Sequence, residues 1–103
     1  MDTLALFIKT KTQPGKRDEV MALWEAHLKP RLENNDVQQT YFYCYDNQDA
    51  DTFYIFEYYT DRSVFESNAQ QPWFAAYMQE AGPLLAGMPE VGMTTPKWIK
   101  SEG

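Results

Sequence analysis

The sequence predicts an α+β protein with one antiparallel β-sheet and helices packed on one face of that sheet. Strand-like segments lie near both ends and in a central pair, and helical apolar patterns lie between them. The resulting order of strand, helix, strand, strand, helix, strand is that of a ferredoxin-like sheet. The length of 103 residues suits one such domain over residues 1–103.

The first strand is predicted in residues 4–11, which are rich in β-compatible side chains and precede the breaker pair Pro14-Gly15. A helix follows, because apolar side chains and one histidine recur at helical spacing. These positions are Val20, Leu23, Trp24, His27 and Leu28. Pro30 is expected to kink or loosen this helix, and residues 33–36 are expected to end it.

A β-hairpin is predicted in the middle of the chain, with strands at residues 39–45 and 52–59 and a polar turn at residues 46–51. Side chains alternate between the two faces of a strand. In the first strand Tyr41, Tyr43 and Tyr45 oppose Phe42 and Cys44, and in the second Phe53, Ile55 and Tyr59 oppose Tyr54, Phe56 and Tyr58. Both faces of the hairpin are therefore aromatic or apolar.

Two helices and a last strand complete the predicted sheet. Asp61 is a plausible N-cap for a short helix that starts at Val64, and Pro72 opens a second helix that ends by Gly82. The last strand is predicted in residues 91–99, with Pro96 at an edge or a bulge because proline has no amide hydrogen.

Helices on one side of the sheet leave its second apolar face uncovered. Burial of one large apolar side chain is worth about 1.5–3 kcal/mol, so exposure of a whole face would cost much stability. We therefore predict a homodimer in which two sheets pack face to face as a barrel-like unit.

Composition excludes several classes of partner and site. The net charge is −6 and neither half of the chain is basic, which argues against nucleic acid and anionic membrane as partners. Cys44 is the single cysteine, so no intrachain disulfide can form and a cytoplasmic location is expected. The apolar run at residues 4–8 is too short for a signal sequence or a membrane span. With His27 as the one histidine, no metal site is expected.

The order and spacing of several short motifs resemble the antibiotic biosynthesis monooxygenase family. The motifs are Lys11-x-x-Pro14-Gly15-Lys16, Pro30, Phe56-Glu57 and Asn68-x-x-x-Pro72-Trp73-Phe74-x-x-Tyr77. The resemblance implies a dimeric α+β barrel. Members of the family include monooxygenases that oxidise quinol, anthrone or polyketide-like aromatics by O₂ without a cofactor, alongside many proteins of unassigned role and some isomerases. Haem-degrading enzymes share this fold but need an axial histidine, for which His27 is poorly placed.

The sequence departs from the family at two positions. Members commonly carry His-x-x-x-Pro-His-Phe after the third strand, whereas Asn68 and Trp73 stand here. A histidine base cannot be carried over, so Asn68, Trp73 and Tyr77 are the candidate catalytic hydrogen-bond donors to an oxyanion. The alternatives are that the aromatic pair belongs to the core and that Asn68 ends a helix.

Glu57 is the fourth candidate catalytic residue, because its odd position places a carboxylate among apolar side chains. The alternative is a structural ion pair with Arg62, with Lys97 or across a dimer. Four further side chains are candidates for substrate binding. They are Trp24, His27, Phe56 and Phe74.

Three functions remain open from the sequence. The first is a cofactor-independent monooxygenase that acts on a small hydroxylated aromatic substrate with O₂. The second is an isomerase or other proton-transfer enzyme with Glu57 as its base. The third is a non-catalytic protein that keeps the pocket and binds a small molecule.

Overall fold

A computed structural model describes residues 3–33 and 38–100. Along the chain one strand is followed by two helices, two strands, two helices and a last strand. The strands are β1 (Leu4–Lys11), β2 (Gln38–Tyr45), β3 (Thr52–Tyr59) and β4 (Glu90–Thr94). The α-helices are α1 (Arg17–His27), α2 (Lys29–Leu32), α3 (Arg62–Asn68) and α4 (Pro72–Ala81), and one 3₁₀ turn follows α4 at Gly82–Leu84.

The four strands form one antiparallel sheet in the order β2-β3-β1-β4. β3 and β1 are the central strands, and Ile8 of β1 is aligned with Ile55 of β3 and with Val91 of β4. The helices pack against one face of this sheet. The predicted α+β, ferredoxin-like architecture is confirmed.

The first helical segment is interrupted as the position of Pro30 predicts. α1 ends at His27, and α2 begins at Lys29 with the proline in its first turn, where the missing amide hydrogen leaves no bond unmade. The last residue of α2 is Leu32, and most of the predicted helix end at 33–36 lies outside the described residues. β3 has the predicted bounds, and β2 begins one residue earlier than predicted, at Gln38. The pairing of β2 with β3 shifts register between Gln38 and Thr40.

The later elements agree with the sequence except at β4. Asp61 caps α3 by accepting a hydrogen bond from the Ser63 amide at 3.0 Å, although the helix begins two residues before Val64. β4 ends at Thr94, so the predicted strand at 91–99 was too long. Pro96 lies beyond the strand, because a residue without an amide hydrogen cannot extend the ladder to β1.

The two faces of the sheet differ in what covers them. The face under the helices carries the main core. Its buried members are Val20, Trp24, Leu28, Phe53, Ile55, Tyr77 and Ala81. The opposite face, here called the open face, carries Phe7, Phe42, Tyr54 and Phe56. Phe7 and Phe42 are 53% and 57% exposed, although both rings contact Phe56, with centroids 5.0 and 5.9 Å away.

Arg17 holds the start of α1 against the β2–β3 turn. Its Nη1 donates to the backbone carbonyls of Asp46, Asp49 and Thr52 at 3.2, 2.9 and 3.0 Å. Its guanidinium carbon lies 3.8 Å from the centroid of the Tyr45 ring. This contact fixes α1 over the sheet and with it the position of the helix face that carries Trp24.

Within the described ranges 3–33 and 38–100, no helix is both long enough and apolar enough to pass through a bilayer.

Replacement of Arg17 by Met should lower the free energy of unfolding by about 1.5–3 kcal/mol, because hydrogen bonds from a charged donor are lost while the aliphatic stem is kept. Urea unfolding at one protein concentration measures this difference. Lys29→Met, at an exposed position of α2, is the matched control and should change the value by less than about 0.5 kcal/mol. Equal unfolding midpoints for the two variants would show that Arg17 does not hold the helix.

Candidate functional site

A cavity of about 260 Å³ lies between the sheet and the helices. Its floor comes from β1 and β3, and its roof comes from α1, α3 and α4. Most of its walls are apolar or aromatic. They include Ile8, Phe53, Ile55, Trp24, Phe74 and Met78. A concave, mostly apolar space with a few polar groups is the usual form of a small-molecule site.

Glu57 supplies the charge at this cavity. The alternation of β3 turns it to the helix-covered face together with Phe53, Ile55 and Tyr59, where it is 8% exposed. Its Oε1 accepts hydrogen bonds from Gln38 Nε2 at 2.8 Å and from the Tyr59 hydroxyl at 2.7 Å. No other described residue that lines the cavity carries a charge.

Asn68 extends this polar group. Its side chain interacts with the Tyr59 hydroxyl, which already donates to Glu57. Gln38, Glu57, Tyr59 and Asn68 are here called the polar end of the cavity. Two of the four predicted catalytic residues, Glu57 and Asn68, therefore meet through Tyr59.

Burial dominates the electrostatics of the polar end. It raises the pKa of Glu57 above the usual value of 4.5, although the hydrogen bonds from Tyr59 and Gln38 oppose the shift. Burial, the nearby Glu57 charge and the hydrogen bond to it also raise the pKa of Tyr59. At the polar end, Glu57 is thus a stronger base than a carboxylate in water, and Tyr59 remains a protonated donor.

Tyr77 and Trp73 line the cavity from α4, four residues apart on one helix face. Burial raises the pKa of Tyr77 to about 12, so its hydroxyl stays protonated at neutral pH. Neither its hydroxyl nor the Trp73 indole N–H donates to any residue in the described part of the chain. Both are donors that a bound molecule can use.

Trp24 and Phe74 also line the cavity, as predicted for substrate-binding side chains. The Trp24 indole N–H donates to the Tyr41 hydroxyl at 2.9 Å, and the two rings stack with centroids 5.6 Å apart. Trp24 therefore forms a wall whose polar atom is already engaged. Phe74 packs beside Tyr77, with ring centroids 6.3 Å apart.

The other two residues predicted for substrate binding, His27 and Phe56, do not line this cavity. His27 Nε2 lies 2.6 Å from Glu80 Oε2, in a contact between α1 and α4. Phe56 belongs to the open face, because its even position in β3 turns it away from Glu57. Phe56 and Glu57 are adjacent in β3, so their side chains lie on opposite faces of the sheet and only Glu57 faces the cavity.

The structure bears on two of the structural alternatives. Neither Arg62 nor Lys97 forms an ion pair with Glu57 in ranges 3–33 and 38–100. Asn68 is the last residue of α3, as the helix-end alternative expects, and its side chain also interacts with Tyr59. The same ranges contain no cluster of three His, Cys, Asp or Glu side chains able to hold a metal ion.

Sequence reasoning missed two members of the polar end. Tyr59 lies two residues after Glu57 on one strand face, and this spacing is a signal that could have identified it. Gln38 is 19 positions from Glu57 and lies at the irregular start of β2, so no local pattern indicates the contact.

Comparison with known proteins agrees with this geometry. The family model for antibiotic biosynthesis monooxygenases matches residues 3–80. The uncharacterised protein sll1783 of Synechocystis sp. is 25% identical over 91 residues, a match that covers 87% of this chain. This chain spans 60% of the length of that relative.

Solved structures with the same fold come from several sources. Rv0793 from Mycobacterium tuberculosis has a TM-score of 0.81 and 23% identity, covering 96% of this chain and 99% of its own. PA3566 from Pseudomonas aeruginosa has a TM-score of 0.79 and 18% identity, covering 93% and 95%. An antibiotic biosynthesis monooxygenase crystal structure has a TM-score of 0.79 and 15% identity, covering 90% and 97%. Similarity at these identities establishes the fold.

Glu57→Gln should gain stability relative to the wild type as pH rises. Because the folded-state pKa of Glu57 is raised, the folded protein binds its proton more tightly than the unfolded chain does. The stabilisation that comes from this tighter proton binding is fully present below the usual pKa of 4.5. It is lost as pH rises through the folded-state pKa. Glutamine does not titrate, so only the wild type loses it.

Thermal unfolding from about pH 4 to about pH 8 measures this change. The free energy of unfolding depends on pH only where the folded and unfolded states differ in proton affinity. Glu66→Gln, at an exposed position of α3, is the control and should follow the wild type. A difference between Glu57→Gln and wild type that stays constant across the range would contradict a raised pKa.

Proposed function

Because the chain belongs to the antibiotic biosynthesis monooxygenase family, we propose that it is a cofactor-independent monooxygenase that oxidises a hydroxylated aromatic compound with O₂. The substrate would be of the quinol, anthrone or polyketide-like kind. The observation that carries the proposal is the buried Glu57 carboxylate at one end of an otherwise apolar cavity, with Trp73 and Tyr77 as donors in its walls.

The proposed reaction begins with proton transfer from the substrate to Glu57, since a carboxylate with a raised pKa is suited to act as a general base. For an anthrone-type CH₂ group, the resulting anion passes one electron to O₂, and the radical pair combines to a peroxide anion, which takes the proton back from Glu57 and becomes a hydroperoxide. Glu57 then accepts the second C–H proton as the O–O bond breaks, which leaves a carbonyl group, and the departing hydroxide takes up that proton as water. One oxygen atom of O₂ enters the product, and the other leaves as water.

The walls would stabilise charge that develops on the substrate oxygen. The Trp73 N–H and the Tyr77 hydroxyl are available donors, and fixed donors in a site that excludes water stabilise an oxyanion strongly. Asn68 would act at the polar end, where its side chain orients the Tyr59 hydroxyl. In this scheme the amide and indole at the positions of the family's two histidines act as donors rather than as bases.

A homodimer is part of the proposal. Phe7 and Phe42 on the open face are more than half exposed, and a second copy of the sheet would cover them. The open face is opposite the cavity, so dimerisation would stabilise the sheet without blocking the site.

Proton transfer without oxygen is the second candidate function. Glu57 is the charged group at the cavity, and an isomerase needs a base but no oxidant. Exchange of a substrate proton with solvent under anaerobic conditions, lost in Glu57→Gln, together with no oxygen uptake, would assign this activity. Binding without either reaction would assign a non-catalytic role.

Oxygen uptake with a panel of hydroquinones and anthrones, in the presence of a chelator, tests the monooxygenase. We expect uptake above the autoxidation rate. Loss of the base in Glu57→Gln should lower kcat by about 10²–10⁴-fold. Loss of one donor in Trp73→Phe should lower it by about 10²–10³-fold. Asn68→Ala should also lower it, whereas the control Glu66→Gln should not.

Uptake equal to autoxidation across the panel would contradict the proposed activity. Wild-type rates in Glu57→Gln, Trp73→Phe and Asn68→Ala would contradict the roles given to these side chains.

Sedimentation at micromolar concentration tests the dimer. The wild type should sediment as a dimer, and Phe42→Glu should shift it to monomer, because a charge would be buried between the two sheets. Ala22→Glu, at an exposed position of α1, is the control and should remain dimeric. A wild-type monomer under these conditions would contradict the proposal.

A further inference from the structure

We infer that the cavity accepts uncharged hydroxyarenes and rejects aromatic carboxylates and phosphates of the same ring system. The inference rests on the proposed function, since it narrows the substrate class of the same site by charge. It is carried by the charges on the walls and by the hydrogen bonds of Glu57.

No residue that lines the cavity, within ranges 3–33 and 38–100, carries a positive charge that could pair with a bound anion. Glu57 is the charged lining group within the described residues. Arg31 lies on the exposed side of α2, with its guanidinium carbon 5.9 Å from the centroid of the Trp73 ring, and it does not line the cavity. Arg17 is engaged with three carbonyls and the Tyr45 ring. A carboxylate that entered would be desolvated without a counter-charge, which is costly.

The bonding of Glu57 favours a ligand that donates a hydrogen bond. Both donors, Gln38 and Tyr59, bond to Oε1. Oε2 accepts no hydrogen bond from residues 3–33 and 38–100, and it is not one of the fully buried atoms that lack a partner there, so it is accessible from the cavity that Glu57 lines. A ligand hydroxyl can donate to Oε2, a hydrogen bond that a bare ring cannot make.

Calorimetric titration with three probes in the absence of O₂ tests the inference at neutral pH. 2-Naphthol and 2-naphthoate share a ring system and differ in charge, and naphthalene lacks the hydroxyl. We expect 2-naphthol to bind about tenfold or more tightly than either of the others, because naphthalene loses the bond to Glu57 and 2-naphthoate adds an unpaired charge.

Glu57→Gln is the matched variant, with Glu66→Gln as its control. The amide can donate to a carboxylate, so the preference for 2-naphthol over 2-naphthoate should fall by about tenfold or more. The control should keep the wild-type preference.

Binding of 2-naphthoate as tight as that of 2-naphthol, or no binding of 2-naphthol, would each overturn the inference. An unchanged preference in a folded Glu57→Gln variant would overturn the role of Glu57 in it. No O₂ is present in the titration, so this result is independent of turnover. Selective binding of 2-naphthol together with no oxygen uptake from any quinol or anthrone would overturn the monooxygenase proposal alone.

Discussion

The alternation of side chains along β3 is the constraint on which the rest of the structure depends. β3 is a central strand, so one face of it must be covered by the helices of its own chain. Phe53, Ile55, Glu57 and Tyr59 face the helices, and Tyr54, Phe56 and Tyr58 face the opposite side. One strand thus supplies part of the cavity floor, the carboxylate that we propose as the base and the aromatic surface that we propose to pack on a second copy.

A buried carboxylate on such a strand is unfavourable unless it is hydrogen-bonded. Here Gln38 and Tyr59 satisfy one oxygen of Glu57, and the burial that raises its pKa also makes it a better proton acceptor. The buried Glu57 carboxylate, which is unfavourable for folding, is therefore also the group on which the proposed proton transfer depends. Such a conflict between stability and local environment is expected at a functional site rather than in a core.

Much of the fold and half of the site followed from periodicity. Strand alternation placed Glu57, and i, i+4 spacing placed Trp73 and Tyr77 on one helix face. Periodicity does not place the remaining residues. His27 fits the apolar helical pattern, but it contacts Glu80 of α4 and does not line the cavity. Gln38 could not be found, because its contact with Glu57 depends on strand pairing between β2 and β3 rather than on sequence spacing.

The central claim is that the cavity binds a hydroxyarene through Glu57, and a crystal structure of the protein with 2-naphthol tests it most directly. The account predicts the ring system between Trp73 and Phe74, with its hydroxyl within hydrogen-bond distance of Glu57 Oε2. A structure in which 2-naphthol lies on the open face, or occupies the cavity with its hydroxyl directed away from Glu57, would contradict it.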